Sequence, residues 1–225
     1  MSLADDMVYG IPMVLMIGWR GEPGLKDEPQ HLRQGMISED ILKSMKIPYR
    51  VLDKDSDFKK IISDSVKISK RKSKPFALLV KKNSFEKYEL KNKISTNFQM
   101  NREDVINCLI KSFKDKDIII STTGKTSREL FECRVKNKMS HKKDFLTVGS
   151  MGHTSSIALG IALVKKDRNV YCIDGDGSVI MHMGNLSSIA NFPKLHNFRH
   201  IVINNGAHDS VGGQPTVGFK IDFCK

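Results

Sequence analysis

The chain has little cysteine, few aromatic residues and no long apolar run. Its four cysteines, Cys108, Cys133, Cys172 and Cys224, stand far apart and form no Cys-x-x-Cys pair. That spacing argues against both a disulfide framework and a structural zinc site, and a reducing, cytoplasmic setting is expected. The longest apolar run, Ile11 to Ile17, is too short to span a bilayer. Asp5 and Asp6 occupy the region where a secretory signal would carry basic residues, and no membrane partner is expected. Aromatic residues make up 7% of the chain, with one Trp. None is interleaved with the basic cluster from Lys67 to Lys74, so that cluster offers no platform for base stacking.

Positive charge is abundant, with 37 Lys and Arg against 25 Asp and Glu and a formal net charge of +12. A basic balance of this size raises the question of nucleic acid. The cluster at 67–74, however, falls where a helix should end, and cations there are favoured by the helix dipole. A solvated helix end accounts for it, nucleic acid is not expected as a partner, and the excess charge suits a small anionic substrate. A hydrophobic content of 40% is enough for a packed core.

Strand and helix patterns alternate along the chain. A buried strand is expected over Ile11 to Ile17, then a glycine- and proline-broken loop over 18–31. Helical spacing follows over Met36 to Lys46, a strand over Tyr49 to Leu52, a helix capped by Ser56, and a strand over Phe76 to Val80. The polar residues from Lys81 to Met100 read as a connection. Beyond it come a helix opening at Asn101 or Arg102, a strand over Ile118 to Ile120, a loop over Ser121 to Ser127 and a helix over Arg128 to Val135. A strand near Phe145 to Val148, a small-residue helix from Thr154 to Val164, and strands over Val170 to Ile173 and Ile201 to Ile203 complete the pattern. The prediction is an α/β chain of two doubly wound parallel-sheet units. Gly124-Lys125-Thr126 has the look of a Walker A loop, but Ile119 stands where that motif needs its first glycine. Thr123, Gly124 and Lys125 are instead candidates for a polar loop beside an anionic ligand.

The stretch Val170 to Thr216 carries the most chemistry. Its first strand ends in Asp174-Gly175-Asp176-Gly177-Ser178 and its second in Asn204-Asn205-Gly206, with 26 residues between Gly177 and Asn204. Two parallel strands ending in glycine and oxygen-bearing side chains can meet at the carboxyl edge of a sheet, where open α/β sheets bind ligands. Mg²⁺ takes about six oxygens, one or two from carboxylates and the rest commonly from phosphate and water. Asp176 can give a carboxylate oxygen, Asn205 an amide oxygen, and a carbonyl just after it a third. Gly175 and Gly177 allow tight bending and close approach of phosphate, with the N–H groups of Gly177 and Ser178 as anion donors.

This paired motif resembles the diphosphate-binding motif of thiamine-diphosphate enzymes. Further segments, Gly18-Trp19-Arg20-Gly21-Glu22-Pro23-Gly24, Thr122-Thr123-Gly124-Lys125-Thr126-Ser127-Arg128-Glu129, Gly149-Ser150-Met151-Gly152-His153, Met181-His182-Met183-Gly184 and Asn204 through Thr216, resemble the phosphonopyruvate decarboxylase family, to which sulfopyruvate decarboxylases are close. The resemblance implies a thiamine-diphosphate-binding fold and a 2-oxo acid decarboxylase, a carbon–carbon lyase that converts 3-phosphonopyruvate to phosphonoacetaldehyde and CO₂. It implies thiamine diphosphate and Mg²⁺ as cofactors, with Asp176, Asn205 and the carbonyl of Ala207 on the metal. Gly149 would offer its carbonyl to the cofactor's amino group, Ser150 would lie beside it, and Met151 would be the wedge that bends the cofactor. Arg20, Lys125, His153 and His208 are the expected cations for the anionic substrate, the two histidines with a catalytic part. Residues 1–84 would be the later part of a pyrimidine-binding domain, 85–97 a linker, and 98–225 the earlier part of a diphosphate-binding domain. Both units would then be incomplete, Met1 an internal methionine and Lys225 an early stop. The chain would be a fragment of a homo-oligomeric enzyme, lacking the family's catalytic glutamate and inactive alone. The alternatives are a sulfopyruvate or other 2-oxo acid decarboxylase, and a non-catalytic cofactor-binding remnant.

Overall fold

The computed structural model describes residues 2–92 and 94–224; the readings of Met1 and Lys225, and position 93 of the expected linker, lie outside the described residues. The chain divides into two compact units, Met1–Tyr88 and Glu89–Lys225.

The first unit contains β1 (Val14–Gly18), α1 (Pro29–Ser44), β2 (Tyr49–Leu52), α2 (Phe58–Lys72) and β3 (Phe76–Val80). The three strands are parallel in the order β1-β3-β2. Every residue of β3, an uninterrupted Phe-Ala-Leu-Leu-Val, is buried, as a strand covered on both faces requires. Phe58, Ile61 and Ile68 of α2 pack on Leu52, Phe76, Leu78 and Val80. On the other face Leu42 of α1 joins Ile47, Ala77, Leu15 and Ile17. One helix on each face makes the unit doubly wound.

Three local expectations need correction here. The first strand is not a buried one over Ile11–Ile17: it runs Val14–Gly18 along a sheet edge, with Met16 69% exposed. The helix expected from Met36 starts at Pro29, inside the predicted loop, because proline at the first helical position needs no N–H partner. Asp57, not Ser56, caps α2, its Oδ1 accepting from Lys60 N–H at 3.0 Å. The last turn of α2 carries Lys70, Arg71 and Lys72, so the basic cluster does sit at a helix C-terminus. Helix α1 lies against the loop through a glycine pair. A Cβ on buried Gly35 would collide with the backbone of Gly21, whose own φ is +71°.

The second unit contains α3 (Arg102–Ser112), β4 (Ile118–Ser121), α4 (Lys125–Lys136), β5 (Asp144–Leu146), α5 (Thr154–Val164), β6 (Val170–Gly175), α6 (Asp176–Met181), α7 (Asn185–Ala190), β7 (Phe198–Ile203), β8 (Ala207–His208) and β9 (Gln214–Pro215). Strands β5-β4-β6-β7 form one parallel sheet in that order. Side chains alternate across it. Ile119, Ile173 and Ile203 meet Ile106, Ile110 and Leu130 of α3 and α4 on one face. Ile118, Ile120, Val170 and Cys172 meet Ala158 and Ala162 of α5 on the other. The small residues of α5 let it lie close to the sheet. From β4 the chain crosses to β5 on one side and then to β6 on the other, so the order reverses between β4 and β6. That gap is where a doubly wound sheet opens a ligand crevice.

Sequence reading placed α4 three residues too late and shortened β7 to its last three residues. Within the segment after β7 an antiparallel pair, β8–β9, forms that the strand pattern does not predict.

Candidate functional site

Because all four strands of the second sheet are parallel, the segments that follow them emerge at one edge. Those segments contain Thr123, Gly124 and Lys125 after β4, Gly149, Ser150, Met151 and His153 after β5, Asp176, Gly177 and Ser178 after β6, and Asn205, Ala207 and His208 after β7. The topology thus brings every expected site residue of this unit to one rim. Arg20 belongs to the first unit. There its guanidinium is taken up by Asp27, with Nη2–Oδ1 at 2.6 Å and Nε–Oδ2 at 3.0 Å.

Hydroxyl groups lock the rim segments together. Ser178 is buried, and its Oγ accepts from Thr122 Oγ1 at 2.9 Å and from Gly152 N–H at 3.1 Å. Thr123 Oγ1 accepts from Gly149 N–H at 2.9 Å. Gly149 and Ser150 both have positive φ, +74° and +48°, a conformation that a serine adopts only under local constraint. The Ser178 side chain therefore joins the segments after β4, β5 and β6, an assignment not made from the sequence.

Gly175 does not provide a tight bend, since it is extended, with φ −106° and ψ 155°, and a Cβ there meets nothing within 4 Å. Asp176, Gly177 and Ser178 form the first turn of α6 rather than a loop, and the early N–H groups of a helix lack internal acceptors. Gly177 is required for a different reason than bending. A Cβ there would come within 2.5 Å of His208 Cε1 and 2.6 Å of Nδ1, so the imidazole rests on this glycine. His153 is exposed at the start of α5, its ring 4.2 Å from that of His182. No hydrogen bond or ring contact joins His153 to His208 among the described residues. Lys125 is the first residue of α4, exposed, with its N–H donating to Ser210 Oγ at 3.0 Å.

Two buried aspartates two residues apart have different surroundings. Asp174, 1% exposed, lies 3.4 Å from His200 Nε2 and accepts the Gly175 N–H at 3.2 Å. Cys172, Asp174 and His200 place their donor atoms within 4.8 Å of one another; burial pushes the Cys172 thiol well above its ordinary value. Asp176, 2% exposed, forms no ion pair among the described residues; its Oδ2 accepts from the Thr216 hydroxyl. A buried carboxylate is normally paired or coordinates a metal, so Asp176 fits a cation.

The neighbouring strand end supplies oxygens. Asn204 Nδ2 donates to the Gly218 carbonyl at 2.9 Å, and its Oδ1 accepts from Gly206 N–H at 3.1 Å. A Cβ on Gly218 would be 2.5 Å from Asp176 Oδ2 and 2.6 Å from Asn204 Oδ1, so the Gly-Asp-Gly and Asn-Asn segments converge on this glycine. Thr216 reinforces the junction, its N–H donating to the Gly206 carbonyl at 2.7 Å. Asn205 does not hydrogen-bond to Asp176. Its Nδ2 donates to Asp209 Oδ2 at 2.9 Å and its Oδ1 accepts from Ala207 N–H at 3.1 Å. Asp209 Oδ2 also accepts from Arg102 Nη1 at 2.9 Å, while Arg102 grips Glu129 with two bonds of 2.7 Å. Glu129 and then Asp209 hold the guanidinium above its ordinary value. The link among Arg102, Glu129 and Asp209 is not legible in the sequence because their separations, 27 and 107 residues, follow no local period.

A doubly wound parallel sheet with a buried carboxylate at its rim and an amide-rich second strand end has the architecture of an α/β ligand-binding domain. Residues 123–224 match the family described as thiamine pyrophosphate enzyme, C-terminal TPP binding domain, and the parallel sheet of the second unit, flanked by helices on both faces, is consistent with that fold. The chain is similar to phosphonopyruvate decarboxylase of Streptomyces hygroscopicus, 30% identical over 229 residues that cover 95% of the chain and 55% of the relative. The homonymous enzyme of Streptomyces viridochromogenes is 31% identical over 95% of the chain and 56% of its own length. Sulfopyruvate decarboxylase subunit beta of Methanocaldococcus jannaschii is 41% identical over 51% of the chain and 57% of its own length. The chain spans about half the length of the curated relatives it matches. The resemblance read from the motifs is thus met by whole-chain similarity. No helix among the described residues is long and apolar enough to cross a membrane.

Proposed function

We propose that the second unit binds thiamine diphosphate through Mg²⁺ and serves in decarboxylation of a small anionic 2-oxo acid, 3-phosphonopyruvate first. The observation that carries this reading is Asp176, a carboxylate buried at the sheet rim whose side-chain partner among the described residues is a hydroxyl. Asp176, Asn205 and the Ala207 carbonyl would hold Mg²⁺, and the N–H groups of Gly177 and Ser178 would face the diphosphate. When bound, the cofactor supplies the electron sink that lets CO₂ leave. The chain's own residues hold and orient it: Gly149 and Ser150 present a backbone edge fixed by Thr123, Met151 offers an apolar surface, and His208 stands over Gly177. Lys125, His153 and His208 are the basic groups on this rim that suit an anionic substrate. Residues 1–84 serve as the later part of a pyrimidine-binding domain and 98–225 as the diphosphate-binding part, joined by 85–97. A second copy of the chain, or a separate subunit, is the proposed partner in assembly.

Sulfopyruvate is the second reading, favoured by the 41% identity over 115 residues to a sulfopyruvate decarboxylase beta subunit. Calorimetric titration of thiamine diphosphate into the chain, with Mg²⁺ or with EDTA, tests the reading. Metal-dependent uptake abolished by Asp176→Ala is expected, and uptake indifferent to metal or to Asp176 would refute it. CO₂ release from phosphonopyruvate against sulfopyruvate then decides the substrate.

A further inference from the structure

We infer that Asp209, held by Arg102, is a positioning residue that dictates which end of the Asn205 side chain faces the cation. The inference rests on the reading of Asn205 as a Mg²⁺ ligand. A carboxamide has two ends of almost equal size, and only its oxygen can bind a metal. Turned the other way, it would point an NH₂ group at the ion. Its orientation is therefore decided by its neighbours.

Those neighbours agree. Asp209 Oδ2 lies 2.9 Å from Asn205 Nδ2, and an ionised carboxylate only accepts, so the end that faces it must be the NH₂. At the opposite end the Ala207 N–H, a donor only, meets Asn205 Oδ1 at 3.1 Å. An amide oxygen has two lone pairs. The bond from Ala207 leaves the second for a cation.

Asp209 must itself be held in place to do this. Arg102, whose side chain is 15% exposed, donates to the same Oδ2 at 2.9 Å. Arg102 is the first residue of α3, and its other nitrogens are fixed on Glu129 of α4 by two bonds of 2.7 Å. The adjacent Ser210 accepts the Lys125 N–H at the start of α4 at 3.0 Å. Two successive residues of the segment after β7 are thus pinned to the helix pair on one face of the sheet. A planar, always charged fork suits this double engagement, and lysine does not reproduce it. Outer partners that orient a metal ligand in this way commonly govern about 10–100-fold in metal affinity.

The test is uptake of thiamine diphosphate by the full chain, followed by calorimetry across Mg²⁺ concentrations, beside thermal unfolding in EDTA. Asp209→Asn keeps the shape, leaves the Arg102–Glu129 pair intact and lets the Asn205 amide turn either way. The Mg²⁺ needed for half-maximal uptake is expected to rise about 10–100-fold, with the EDTA melting midpoint nearly unchanged. Arg102→Lys, expected to give a smaller rise, serves should the first variant fold poorly. A merely structural role would lower the midpoint and leave the Mg²⁺ requirement as in the wild type, and that result overturns the inference. If the wild type takes up cofactor in an Asp176-dependent way while both variants keep its Mg²⁺ requirement, the inference alone falls. If the wild type takes up none, the metal-site reading falls and the inference with it.

Discussion

Asp174 and Asp176 lie on either side of Gly175, both buried, yet among the described residues only Asp174 is paired with a basic side chain, His200 at 3.4 Å. Without metal, Asp176 is a buried carboxyl group whose side-chain partner among the described residues is one hydroxyl, a state that disfavours folding. Opposite responses to the same conservative change follow. In EDTA, Asp176→Asn is expected to raise stability by about 1–3 kcal/mol, and Asp174→Asn to lower it by a similar amount. Denaturant melts of both variants check this. Mg²⁺ with thiamine diphosphate should raise the wild-type midpoint and leave that of Asp176→Asn unmoved, since a ligand stabilises only through the state that binds it. Loss of stability in Asp176→Asn without metal would show that the carboxylate is held by the protein alone.

The contact of His208 with Gly177 gives a second expectation. A methyl at position 177 would meet the imidazole at 2.5–2.6 Å, and the ring is carried on the short strand β8. Gly177→Ala must push His208 and β8 away from α6, a repacking worth about 1–3 kcal/mol. The position is helical with negative φ, so the effect comes from the contact and not from backbone strain. A double variant, Gly177→Ala with His208→Ala, should recover most of the lost stability while cofactor uptake stays weak. Equal losses in the single and double variants would contradict the contact as cause.

Legibility in the sequence followed the range of the interactions. Helix α5, with its small apolar run, was placed at its observed bounds, and the buried β3 was complete, because in both the pattern itself determines burial. The first strand was misjudged because periodicity cannot tell a central strand from an edge one; Met16 is exposed at the edge of its sheet. Pro29 opens α1 and Gly124 precedes α4, residues that read as breakers and act as helix starts. At the site, the residues carrying oxygen and glycine were legible as a motif and reach one rim. Their supports, Ser178 Oγ, Thr216, Asp209 and Arg102, were not, since each works through a partner distant in the chain. The motif residue Arg20 has a neighbour that explains it without substrate, Asp27 at 2.6 Å.

Helix α3 begins in a reciprocal cap. Asn101 Oδ1 accepts from Asp104 N–H at 2.9 Å, and Asp104 Oδ2 accepts from Asn101 N–H at 3.0 Å. This cap stands immediately before Arg102, so it fixes the helix end that carries the guanidinium. Asn101→Ala is expected to lower stability by about 1 kcal/mol. Asp104→Ala should cost less, and the pair should be less than additive because the two bonds form one unit. Urea titration of the three variants measures it, and strict additivity would separate the two bonds.

The loop between β1 and α1 supplies a pH dependence. Asp27 is held well below the usual carboxylate range, chiefly by the Arg20 guanidinium and then by His31 and the N–H groups of Gly21 and Glu28. In the unfolded chain an aspartate titrates near ~3.9. The folded state therefore binds fewer protons than the unfolded one through this interval. The stabilisation is complete above ~3.9 and is lost as the pH falls from there toward the folded value. Wild type should exceed Asp27→Asn in stability at pH about 5, with the margin shrinking below about 4. Arg20→Gln should reduce that acid dependence, since it deletes the principal partner while His31 and the N–H groups of Gly21 and Glu28 remain. Thermal melts of the three proteins across this range decide the matter, and a margin that widens in acid would mean that Asp27 is protonated in the fold.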